Sequence, residues 1–143
     1  MKMKKYLLFF LVFSMISCGS IKVDLAEMQQ IFPGIESISP YKRIEIDITT
    51  KKEIEIDSIY VNLAGMCGKL EFNLKQEKTI LNTTKIQAGN YKIVSGNLEN
   101  NVINKNIVSC VLKEGTAKIF YRNKGVSKTK SVSSFSNVRK YSR

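Results

Sequence analysis

From Ile44 onward the apolar residues fall on every second position. Ile44, Ile46 and Ile48 alternate with Glu45 and Asp47, and Ile54 and Ile56 alternate with Glu55 and Asp57. Successive side chains of a strand point to opposite faces, so this pattern predicts two half-buried strands with their acids turned to water. After Asp57 the apolar phase moves by one residue, to Ile59, Val61 and Leu63. A one-residue slip turns every following side chain to the other face, so a β-bulge is expected near Asp57-Ser58.

The same period continues downstream. Leu70, Phe72 and Leu74 mark a strand after the turn Ala64 to Gly68, and a weaker one spans Thr79 to Ile86. Gly89-Asn90 turns into Tyr91 to Val94, and Gly96 to Asn106, with five asparagines, reads as the longest loop. Ile107 to Leu112 is a continuous apolar run. Ala117 to Arg122 and Val126 to Val132 flank Asn123-Lys124-Gly125, which predicts a β-hairpin, and a short final strand includes Val138 and Tyr141. About seven short strands with no helical period between them predict an all-β antiparallel sandwich of immunoglobulin-like order. A partly open barrel is the alternative. Ahead of this series, Asp24 to Phe32 has helical spacing. Leu25, Met28 and Phe32 share one face and Asp24 and Glu27 are placed as a capping box, ended by Pro33-Gly34. One or two helical turns, or an irregular lead-in, are expected there.

The start of the chain is of a different kind. Three lysines precede an apolar run from Tyr6 to Ile16, and small Ser17 stands before Cys18. That is the layout of an export signal. The run is too short for a membrane-spanning helix, which needs about 20 residues. Met15-Ile16-Ser17-Cys18 resembles the lipobox of bacterial lipoproteins, and the resemblance covers these residues only; the rest of the chain loosely resembles small lipoproteins of Gram-negative bacteria and no named domain family. The alternative is an ordinary signal peptide cut near Ser20. The resemblance implies that Cys18 becomes the first mature residue, carrying diacylglycerol on sulfur and an acyl chain on its amine. Each buried methylene contributes about 0.8 kcal/mol, and two or more chains anchor stably. The expected organisation is a signal peptide over 1–17, a lipidated tether and lead-in over 18–40, and one β domain over 41–143. The expected location is the cell envelope, at the outer membrane.

Charge is unevenly placed. Residues 18–114 hold 12 basic and 12 acidic side chains, whereas Lys118, Arg122, Lys124, Lys128, Lys130, Arg139, Lys140 and Arg143 follow Gly115 with no acid among them. Lys118, Lys124, Lys128 and Lys130 share one parity, so several are expected on one face of a two-stranded ribbon. Phe120, Tyr121, Phe135 and Tyr141 are interleaved with them, a pattern also found in nucleic-acid binders. An exported protein meets anionic lipid, acidic glycan or a partner protein instead. The bland reading is a lysine-rich edge hairpin, since lysine also blunts edge pairing.

Histidine is absent. No Ser-His or Cys-His nucleophile pair and no histidine-containing zinc site can form. No phosphate-binding loop or dinucleotide fingerprint occurs. No cofactor, metal or catalytic residue is therefore assigned. A small hydrolase using Glu45, Asp47, Glu55 and Asp57 alone is the remaining enzymatic alternative. Cys67 and Cys110 form an even pair, which in an oxidising compartment predicts a disulfide across the core. The alternative is two thiols too far apart to bond, because nothing local sets their distance.

Overall fold

Isoleucine builds the interior. Ile44, Ile46 and Ile48 from one layer meet Ile54, Ile56, Ile59 and Ile119 from the other, and all seven are almost completely buried. β-branched side chains are stiff and pack well on a pleated surface, so such a sequence favours sheet on sheet. The structure, a computed structural model, describes residues 19–103 and 110–142.

The strands are β1 (Ile21–Phe32), β2 (Tyr41–Thr50), β3 (Ile54–Leu63), β4 (Met66–Leu70), β5 (Asn73–Gln76), β6 (Thr79–Leu81), β7 (Lys85–Ile86), β8 (Gly89–Val94), β9 (Val102–Ile103), β10 (Thr116–Asn123), β11 (Val126–Val132) and β12 (Ser136–Tyr141). A single helical turn, Leu98–Asn101, precedes β9. The first sheet runs β12-β1-β2-β8-β5-β6 and the second β11-β10-β3-β4-β9, with β7 on the start of β3. Two sheets face each other and neither closes on itself, which is a β-sandwich. The partly open barrel is excluded. Within the sandwich, β1-β2-β8-β5 and β11-β10-β3-β4 follow the order A-B-E-D and G-F-C-C′ of immunoglobulin-like domains. Among the described residues twelve strands stand where about seven are expected, because short pieces such as β6, β7 and β9 carry too few residues to show a period.

The bulge in β3 lies where the phase slip places it. Phe120 pairs with Ser58 but Tyr121 pairs with Ile56, leaving Asp57 as the extra residue. A second bulge, at Asp24, interrupts β1: Val23 pairs with Ile48 and Leu25 with Asp47. It corrects the helical reading of Asp24 to Phe32. Ile21 and Val23 face the core before the bulge, and Ala26 and Met28 after it. Leu25 is exposed yet stands three residues before core-facing Met28, so an extended strand shows an apolar spacing that imitates a helix. The sandwich thus begins at Ile21 rather than at Tyr41.

Downstream, the region read as one strand over Leu70 to Leu74 splits into β4 and β5, and Cys67 lies within β4 rather than in a turn. Cys110 to Leu112 is not a strand, and 107–109 lie outside the described residues. Two residues, Lys124 and Gly125, connect β10 to β11 with φ of 50° and 76°. Positive φ at both positions is the hairpin turn whose twist matches the flanking strands. After β11 the chain leaves the second sheet, crosses Ser133 to Phe135, and joins the first as β12, parallel to β1. Val126 to Tyr141 therefore borders both sheets along one side of the sandwich.

Candidate functional site: outer-face carboxylates and the basic terminal strands

The polar phases of β2 and β3 place their acids on the outer faces of opposite sheets. On the first sheet, Lys92 of β8 stands opposite Asp47, and its Nζ lies 2.9 Å from Glu45 Oε1 and 3.6 Å from Asp47 Oδ1. Gln29 is fully buried beside them. Its Nε2 donates to Glu45 at 2.6 Å and to Glu27 at 3.0 Å, and its Oε1 accepts from Arg43 Nε at 2.8 Å. Glu27 and Glu45 are direct cross-strand partners, an arrangement that repels unless something bridges it. The Gln29 amide is that bridge. Burial pushes the Glu45 carboxyl up, but hydrogen bonds from Lys92 and Gln29 and the charges of Lys92 and Lys140 outweigh it and hold the group below its ordinary value. The hydrogen bond from Lys92 to Glu45 raises the Lys92 ammonium correspondingly.

On the second sheet, Arg122 of β10 holds the other pair. Its Nη2 lies 2.9 Å from Asp57 and 3.4 Å from Glu55, and its Nε donates to Asp57 at 3.0 Å. The bulge at Asp57 aims that carboxylate at the arginine. Glu53 is drawn below its ordinary value by hydrogen bonds from Lys85 and Gln87. None of the four strand acids is a free, solvated carboxylate. On each outer face one cation, Lys92 or Arg122, lies between two of these four acids. Glu45, held below its ordinary value, is not the general acid of raised pKa that carboxylate-only hydrolysis uses. Among the described residues no group of three or more His, Cys, Asp or Glu could hold a metal ion.

The basic residues do not gather on one face. A two-residue turn pairs Lys118 with Ser131, Ile119 with Lys130 and Tyr121 with Lys128. Residues of equal parity on β10 and β11 consequently point to opposite faces, which corrects the one-face ribbon. Lys118 and Arg122 share the outer face of the second sheet. Lys128 and Lys130 share the phase of buried Ile119 and Tyr121, at the open side of the edge strand β11. Lys124 sits at the hairpin tip, and Arg139 and Lys140 lie on opposite faces of β12. Arg122 is committed to its carboxylates. Lys118, Lys124, Lys128, Lys130 and Arg139 have no ion pair among the described residues. Cys18 and Arg143 lie outside the described residues.

Cys67 and Cys110 are bonded, with Cα atoms 6.0 Å apart. The bridge does not cross the core: it joins β4 to the segment before β10 on the outer face of the second sheet. Both residues are half-buried there. No helix among the described residues is long and apolar enough to cross a membrane. No family model matches the chain, and no curated protein matches it.

Proposed function

We propose that the chain is a lipid-anchored, non-enzymatic binding or structural module of the bacterial envelope, held to the membrane through Cys18. The anchor rests on the basic start, the apolar run and Met15-Ile16-Ser17-Cys18. Its contacts are with an anionic envelope component, lipid head group or glycan, or with a partner protein, met through Lys118, Lys124, Lys128, Lys130, Arg139 and Lys140. One observation carries the binding reading. The strand acids on both outer faces are neutralised by Lys92 and Arg122, whereas most of the terminal cations have no ion pair among the described residues. Uncompensated like charges at one border of a small domain steer anionic partners within about a Debye length, roughly 8 Å at physiological salt. The carboxylate-only hydrolase is the weaker alternative, because both acid pairs are occupied by a cation and Glu45 is held ionised.

Flotation with vesicles tests this reading. Replacing Lys124, Lys128 and Lys130 by Gln should reduce association with anionic vesicles at low salt and leave neutral vesicles unaffected. The wild-type association should weaken steeply as salt rises. Equal binding by the triple variant would mean that these lysines are only a solvated edge. In a separate arm, Cys18→Ala should abolish detergent-phase partitioning of the mature form, and unchanged partitioning with normal maturation would remove the anchor.

A further inference from the structure

A second feature lies apart from the anchor and from the lysines of β11. The register of the second sheet sets Ile103, Lys69, Tyr60, Lys118 and Ser131 in one row across five strands, on the outer face. Tyr60 is 41 % exposed at the middle of this row, with a lysine on each side. Strands lie about 4.8 Å apart, so the two lysines start about 10 Å from each other and their long stems can converge above the ring. Phe120, the diagonal neighbour, meets Tyr60 edge to face at a centroid distance of 5.6 Å.

One wall rises over this floor. The Cys67–Cys110 bond fixes its start, and Asn62 Nδ2 donates to the Leu112 carbonyl at 2.8 Å to fix its end. Val111 lies between these two tethers and is 96 % exposed. Ile103 borders the other side. The groove so formed holds about 420 Å³ and is lined by Tyr60, Phe120, Ile103, Val111 and Leu112 together with Lys69 and Lys118. Small-molecule sites are typically concave, mainly apolar and supplied with a few converging polar groups, at roughly 300 to 1,000 Å³.

The polar groups here are of one sign. Neither lysine makes an ion pair among the described residues, and the acids of the same face, Glu55 and Asp57, are already held by Arg122. We propose that this groove binds a small amphipathic carboxylate, an apolar ring or short chain ended by one carboxylate, with the apolar part on Tyr60, Phe120 and Val111 and the carboxylate between Lys69 and Lys118. The groove shares only Lys118 with the basic border and uses neither Cys18 nor the lysines exchanged in the vesicle test, so the two tests fail independently.

Isothermal titration of the purified full chain with phenylbutanoate tests the assignment, with phenylbutanol and acetate as the neutral and the purely polar comparators. Saturable binding of phenylbutanoate is expected, at least ten-fold tighter than phenylbutanol and with none for acetate. The double variant Lys69→Gln/Lys118→Gln should remove that ten-fold preference while its thermal midpoint stays with the wild type. Tyr60→Ser should weaken the carboxylate and the alcohol alike. Equal affinity for the acid and the alcohol, no saturable heat with the acid, or an unchanged preference in the double variant would each overturn the proposal. The comparison of acid with alcohol needs no variant, so it holds even where a substitution disturbs folding.

Discussion

Removing the disulfide should destabilise the protein through its unfolded state rather than through its core. The bonded cysteines are 43 residues apart in sequence. In the chain-entropy treatment, closing a loop of that length withdraws about 13 cal/mol/K from the unfolded ensemble, or about 4 kcal/mol at room temperature. The native side contributes little. Both cysteines are half-buried on an outer face, so Cys67→Ser/Cys110→Ser opens no cavity among the core isoleucines. The double variant should therefore lose about 3 to 4 kcal/mol in guanidinium unfolding. Its denaturant slope should increase, because an uncrosslinked chain exposes more surface when it unfolds. At roughly 4 °C per kcal/mol for a chain of this size, the thermal midpoint should fall by about 12 to 16 °C. A loss below about 1 kcal/mol with an unchanged slope would overturn this expectation, since the crosslink would then not constrain the unfolded chain. Loss of the cooperative transition altogether would refute it from the other side, by making the bond part of native packing.

Other perturbations have equally definite outcomes. Ile119→Ala removes a fully buried side chain at the centre of the second sheet and should cost about 2 to 5 kcal/mol in denaturant unfolding. Gly125→Ala forces a Cβ onto a backbone at φ 76° and should cost about 1 kcal/mol in the same assay, although the space around it is open. The Glu45–Lys92 pair sets a pH window. Glu45 is lowered, so its contribution is present above the unfolded carboxylate range and lost as pH falls through the folded value. Lys92 is raised, so its contribution is present below the ordinary lysine range and lost as pH rises through the folded value. The pair should stabilise the fold from about pH 5 to about pH 10. Lys92→Met should shift the acid limb of the thermal-midpoint profile to higher pH, and an unmoved limb would show that Glu45 is held by Gln29 instead.

The parts of the fold legible in the sequence are those where burial alone sets the pattern. β2, β3 and β10 each have one face on the core, so their apolar residues alternate, and the bulge at Asp57 shows as a break in phase. β1 is hidden because the bulge at Asp24 breaks the alternation of Ile21 and Val23 with Ala26 and Met28, and because exposed Leu25 stands three residues before Met28, with Phe32 four after it, at helical spacing. The short strands β6, β7 and β9 exist through pairing to longer neighbours, and two or three residues cannot display a period. Cys67 and Cys110 could be paired by counting, but their place outside the core depends on β4 lying where a turn was expected. Face assignments in the basic hairpin hinge on turn length. Two residues between β10 and β11 put equal parities on opposite faces, and no composition argument contains that. The groove at Tyr60 was the least visible feature, because its row is assembled from five strands that are distant in sequence.

Anchoring through Cys18 is read by intact-mass and N-terminal peptide analysis of the membrane-purified protein. The expected mature chain begins at Cys18, its sulfur bearing diacylglycerol and its amine acylated. A mature chain that begins elsewhere, or one with an unmodified Cys18 thiol, would contradict it.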